Sequence, residues 1–152
     1  MPRTLRTTPR LLCRFIGGST LFNGTTSTIP TTITSNNVFK TGNGFTLFAW
    51  VKPKSVGEGG LGRIFDKSAA GSGGSGIALY IEAVGKLTFY INGATGKSSP
   101  TGKIQFNRWQ HVAVSVSGGS KAKMYLNGEV ISGETDVSAI EGITTSLSLI
   151  HI

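Results

Sequence analysis

Apolar and polar residues alternate along this chain over short stretches, and no helix-length run repeats at 3.6 residues. The clearest case is the segment Trp109 to Val130. Val112, Val114 and Val116 recur at period 2 with His111, Ala113 and Ser115 between them, the pattern of a strand with one strongly apolar face. Ser117 to Ser120 is a tight connection, and Lys123 to Leu126 forms a second strand closed by Asn127-Gly128. Asn-Gly tolerates positive φ at both centres of a type I′ turn, so Leu126 is expected opposite Glu129.

The same reading extends upstream. Phe45, Leu47, Ala49 and Val51 alternate with Phe48 and Trp50, so this strand is apolar on both faces and is expected at the centre of a sheet. In the hairpin Ile77 to Asn92, Ile77, Leu79 and Ile81 share a face, as do Leu87, Phe89 and Ile91. A three-residue loop, Val84-Gly85-Lys86, puts both sets on one side, with Gly85 in the left-handed region and Tyr80 directly opposite Tyr90. The Val112, Val114 and Val116 row is expected in a core shared with Leu47, Leu79 and Phe89. Thr25 to Asn37, broken by Pro30, reads as an edge strand or a long loop. Val56 to Gly62 reads as a Gly-rich loop, Arg63 to Lys67 as a short strand, Ser68 to Gly76 as a flexible loop, and Ala94 to Gly102 as a polar loop after an Asn92-Gly93 turn. Neither Gly-rich loop has the G-x-x-x-x-G-K-[ST] pattern or leads into a helix, so neither is a phosphate cradle.

A chain of 152 residues with 22 Gly and 14% charged residues suits one all-β domain, a sandwich or a barrel. No apolar run reaches the length of a membrane span. The single Cys13 excludes an intrachain disulfide. Net charge is +8, and residues 1–14 hold Arg3, Arg6, Arg10 and Arg14 without an acid. Residues 1–18 read as a basic, disordered leader. A nucleic-acid arm is disfavoured because no aromatic side chain interleaves with the arginines, and a secretory signal because Leu11-Leu12-Cys13 is too short.

Three segments carry a resemblance. Trp109-Gln110-His111-Val112-Ala113-Val114-Ser115, a Gly-rich turn and Met124-Tyr125-Leu126-Asn127-Gly128 resemble the signature of laminin G-like domains of the concanavalin A-like lectin/glucanase superfamily. Phe45 to Pro53 (FTLFAWVKP) resembles an early strand of that family, and Leu21-Phe22-Asn23-Gly24 its opening strand. The resemblance implies an all-β, two-layer antiparallel β-sandwich, a concanavalin A-like jelly roll, over residues 19–152. It also implies a non-catalytic binding or adhesion module that recognises a glycan or glycosylated surface, with no nucleic-acid partner. The expected setting is extracellular, on a bacterial surface protein or a phage tail or capsid appendage. Two alternatives stay open, a structural or protein–protein domain and a fragment of a glycoside hydrolase, because this superfamily hosts all three.

Candidate chemistry is sparse. Tyr80 and Tyr90, paired on the outward face of their hairpin, are the candidate sugar platform; cross-strand stabilisation is the plainer role for such a pair. Glu134-Thr135-Asp136 starts the E-x-D-x-x-E pattern of hydrolases in the superfamily, but Ser138 and Ala139 stand where the next acid belongs, so these read as loop acids. His111 has no nucleophile motif around it and reads as a framework residue. One Cys and two His cannot build a zinc site. Some laminin G-like domains hold calcium at the sandwich rim; Asp66 and Asp136, the only aspartates, lack ligand-loop spacing, so no cofactor is assigned. The last six residues, Leu147 to Ile152, also spell the translation of a transposase mosaic-end adapter, where the family normally continues into closing strands. A domain lacking about two strands and open at one edge is therefore expected, with Leu147 to Ile152 lying along a sheet.

Overall fold

The inward row of valines finds its partners across two antiparallel sheets. The structure, a computed structural model, describes residues 18–23, 27–30, 44–68, 76–91, 94–117, 121–133, 135–136 and 148–150, and the structural statements below concern these. In chain order the strands are β1 (Thr28–Pro30), β2 (Phe45–Val51), β3 (Leu61–Ser68), β4 (Gly76–Glu82), β5 (Lys86–Ile91), β6 (Ala94–Ser98), β7 (Gln110–Val116), β8 (Lys121–Leu126), β9 (Glu129–Val130), β10 (Thr135–Asp136) and β11 (Ser148–Ile150). One sheet runs β1-β11-β3-β4-β5-β6 and the other β10-β8-β7-β2, with β9 paired to β8. There is no α-helix among the described residues.

The core lies between the sheets. Leu47, Val51, Val112, Val114, Val116, Ala122 and Met124 come from one, and Phe65, Ile77, Leu79, Ile81, Leu87, Phe89 and Ile91 from the other, all buried. The expected core of Val112, Val114 and Val116 with Leu47, Leu79 and Phe89 is what the structure shows. Leu126 pairs with Glu129 as read from the turn chemistry, and Asn127 (φ 51°) and Gly128 (φ 88°) both take positive φ. Among the described residues β1 is an end strand, the first of the two readings left open for Thr25 to Asn37, and proline, which leaves a gap in a ladder, is tolerated at such an edge.

Several readings need correction. The β4–β5 hairpin turns one residue earlier than expected, on Ala83–Gly85, so Tyr80 pairs with Thr88 and Tyr90 with Ala78. Alternation fixes only which face a residue takes, and a two-residue slip preserves it. The choice is made by a distant loop. Gly102 N donates to Val84 O at 2.8 Å and Ile104 N to Gly85 O at 2.9 Å, holding Val84 (φ 63°) and Gly85 (φ 68°) left-handed. A Cβ on Gly85 would lie 2.4 Å from Ile104 O, so the close approach requires glycine.

Second, β2 stands at the end of its sheet among the described residues, not at its centre, and its outward row is exposed. Third, Ala94–Ser98 is a strand at the other sheet's end rather than a polar loop; an outermost strand can form on backbone bonds without an apolar face. Fourth, residues 18–23 form no strand, Leu61 already belongs to β3, and Asp136 lies in β10 opposite Lys121 rather than in a loop.

Ser148–Ile150 is a strand between β1 and β3, which agrees with the expectation for that stretch. Residues 1–17, expected as a leader, Asn92 and Gly93, expected as a turn, and Glu134, Leu147, His151 and Ile152 lie outside the described residues.

Val114 has no accessible surface, so Val114→Ala removes two methyl groups from a closed layer. Chemical denaturation should show a loss on the order of 1–3 kcal/mol from transfer and cavity terms. A loss within a few tenths would mean that the layer can collapse around the gap.

Candidate functional site

The outward face of the β2–β7–β8 sheet is built by the same alternation that builds the core. In register, Trp50 lies opposite His111, and Phe48 opposite Ala113, which itself lies opposite Tyr125. Phe48 is 63% exposed and Trp50 59%. The imidazole of His111 joins them: its centroid is 5.4 Å from the Trp50 ring, nearly edge-on at 61°, and 5.8 Å from Phe48. Buried Ala113 leaves a small side chain in register between Phe48 and Tyr125. Leaving a Phe and a Trp in water forgoes roughly 1.5–3 kcal/mol each. Grouped aromatic exposure of this kind marks an interaction surface.

A cleft of about 540 Å³ opens at the end of the sheet where β7 begins, lined by Lys103, Gln105, Arg108, Trp109 and Asn127 among others. Its wall is rigid for identifiable reasons. Ile104 is buried and Phe106 packs against the core, so Lys103 and Gln105, on either side of Ile104, are turned outward. Asn107 N donates to Pro53 O at 2.7 Å. Buried Gln110 clamps the loop from behind: its Oε1 accepts from Gln105 N at 2.9 Å, and its Nε2 donates to Gln105 O at 2.7 Å. Across the cleft, Asn127 Oδ1 accepts from His111 N at 2.9 Å and Asn127 N donates to His111 O at 2.7 Å. Trp109 is 52% exposed, so both tryptophans of the chain are more than half exposed at the same end of one sheet.

The residues singled out from sequence fall elsewhere. Tyr80 and Tyr90 do share the outward face of β4 and β5, as diagonal neighbours. Tyr90 is only 5% exposed and Tyr80 is half-buried, in a shallow recess with Arg63 and Asp66. Burial is the main cause that raises the Tyr80 phenol above its usual value, with Glu82 and Tyr90 adding to it and Arg63 opposing. Neither tyrosine presents a free ring face like that of Trp50. Asp66 is held by an ion pair with Arg63 Nε at 3.1 Å and accepts from Ser68 N at 2.9 Å. Among the described residues no three His, Cys, Asp or Glu side chains cluster as a metal site would require. No helix there is long and apolar enough to cross a membrane.

The chain belongs to the concanavalin A-like lectin/glucanases superfamily, whose laminin G-type family model matches residues 23–150. No curated protein matches it by sequence. Its fold is similar to three solved structures in particular. The CBM40 of the Ruminococcus gnavus IT-sialidase, bound to α2,3-sialyllactose, superposes with a TM-score of 0.56 at 18% identity over 70% of this chain and 63% of that one. Domain 4 of AbnA, a GH43 extracellular arabinanase from Geobacillus stearothermophilus, in complex with arabinotriose, gives 0.52 at 20% identity, over 75% and 53%. Domains LG4-5 of the mouse laminin α1 chain give 0.50 at 14% identity, over 80% and 30%. The chain thus spans less than two thirds of each of these structures. At such identities the likeness establishes the fold.

One titratable group sits inside the sandwich. Lys67 pairs with Ile77 on the inward row of β3 and is 1% exposed; burial pushes its ammonium below the usual lysine value of 10.5. A lysine with a lowered folded-state pKa binds fewer protons folded than unfolded between that pKa and 10.5. Stability should therefore rise with pH across that window, and the rise should vanish in Lys67→Met. Denaturation midpoints between pH 7 and 10.5 test this; an unchanged slope in the variant assigns the dependence to another group.

Proposed function

We propose that this domain is a non-catalytic carbohydrate-binding module that presents the outer face of the β2–β7–β8 sheet to a glycan outside the cell. The observation that carries the reading is the exposed Phe48–His111–Trp50 group. Successive outward residues of a strand stand about 6.7 Å apart, so Phe48 and Trp50 offer two apolar planes at a spacing comparable to neighbouring sugar rings. The C–H faces of pyranoses are apolar and their rims polar, and they stack on such planes. The anchor is rigid, since both rings stand on a strand bonded in register over seven pairs to β7. Solved oligosaccharide complexes of the same fold, one with sialyllactose and one with arabinotriose from an extracellular arabinanase, support both the ligand class and the location. Tyr80 and Tyr90 are then framework of the opposite sheet.

Trp50→Ala should leave the melting temperature nearly unchanged, because the ring is exposed, and should weaken glycan binding tenfold or more, as for an interface hot spot. Array binding followed by titration calorimetry on the best glycan reads this. Unchanged affinity would move the site off this face, and a variant that instead lost self-association would make it a protein–protein surface. Incubation with a panel of polysaccharides should release no reducing ends; release would favour the hydrolase reading.

A further inference from the structure

We infer that the cleft beside this face is built for an acidic sugar, with Arg108 and Lys103 meeting a carboxylate or sulfate while Trp109 supports the ring that carries it. The inference rests on the glycan-binding reading and adds the ligand's charge. Three observations converge. The cleft volume, about 540 Å³, suits one or two sugar residues. Its lining holds two cations and an exposed tryptophan and, among the described residues, no carboxylate. The charge is also aimed. Arg108 donates from Nη1 to Gln105 Oε1 at 2.6 Å, and the backbone of Gln105 is fixed by Gln110, so this bond draws the guanidinium towards an anchored segment of the cleft wall.

An arginine steadied on one side of its fork keeps other N–H groups for a planar acid, which it can meet bidentately, and a lysine adds an untethered point charge. Asn127 supplies amide hydrogen-bonding capacity on the opposite wall, for the hydroxyl rim of the sugar. Register places the cleft next to the aromatic face: Trp50 pairs with His111 and Val51 with Gln110, one residue further on. A neutral sugar on Phe48 and Trp50 and an acidic residue over Trp109 can therefore belong to one oligosaccharide. Outside residues 1–14 the chain holds 11 basic and 7 acidic residues, a net charge of about +4, which favours an anionic ligand at long range.

The test is an array carrying neutral, carboxylated and sulfated glycans, probed with the wild type, Arg108→Gln, Lys103→Gln and Trp50→Ala. The bound set should be enriched in acidic glycans, and raising the salt from about 50 to 500 mM should weaken them selectively, since exposed charge pairs are screened. Arg108→Gln and Lys103→Gln should each lower acidic-glycan affinity about tenfold while leaving neutral-glycan affinity within twofold; Trp50→Ala should lower both. Carboxylated and sulfated spots separate the two acid classes. Binding of neutral glycans alone, or acidic binding unchanged in both cation variants, overturns the inference and leaves the glycan reading intact. Equal competition by a single-stranded oligodeoxythymidylate also overturns it, by showing an unspecific polyanion site. Binding of no glycan at all removes the glycan reading, and this inference with it.

Discussion

Everything in this domain depends on two apolar surfaces that must exclude water from each other. The inward rows of β2, β7 and β8 meet those of β3, β4 and β5, and a residue such as Val112, Leu79 or Leu87 retains no accessible surface. At roughly 25 cal/mol per Å² of buried apolar area, this layer is the main stabilising term available to a chain with no disulfide. Because side chains alternate across a strand, burying one row forces the other outward. The outward rows of β2 and β7 are the site proposed here, so core and site are two consequences of one alternation.

That dependence explains what the sequence revealed. Parity was legible: the valine row, the inward sets of β4 and β5 and the Asn127-Gly128 turn follow from period 2 and from backbone chemistry local to each turn. Register was not legible where a distant segment decides it. The Ala83–Gly85 turn is set by Gly102 and Ile104, close in space but remote in sequence, so the pairing of Tyr80 with Thr88 could not be read from the hairpin alone. Nor was β6 legible, since ATGKS has the composition of a loop and becomes a strand only because β5 offers it an edge.

The preference for the β2 face over Tyr80 and Tyr90 in the site proposed here has a related reason. A strand apolar on both faces can be buried on both sides, or can keep one face for a ligand, and β2 by itself does not distinguish them. Its neighbours do. Were the outer face of the β2–β7–β8 sheet covered, the outward positions of β7 and β8 would also be apolar; instead they read His111, Ala113, Ser115 and Lys121, Lys123, Tyr125. A polar outward row beside Phe48 and Trp50 points to an exposed aromatic island. That comparison uses only the sequence and the pairing of strands, and it separates a platform from a core strand where hydrophobicity alone cannot.

The aromatic face and the cationic cleft also share a frame, which bears on affinity. Gln110 and His111 are consecutive on β7. Gln110 fastens the loop that carries Lys103, Gln105 and Arg108, while His111 lies beside Phe48 and Trp50 and its backbone holds the Asn127 turn through two hydrogen bonds, one to the Asn127 side chain and one to its backbone. Ordering a loop or a side chain on binding costs about 0.5–1.5 kcal/mol per immobilised group, and a site already ordered by the fold avoids much of that cost. The buried amide of Gln110 is the economical way to achieve this. It satisfies both a backbone donor and a backbone acceptor of Gln105, so the loop needs no regular secondary structure to hold its shape. Chain geometry therefore makes one strand terminus, Gln110-His111, the point from which both halves of the proposed site are positioned.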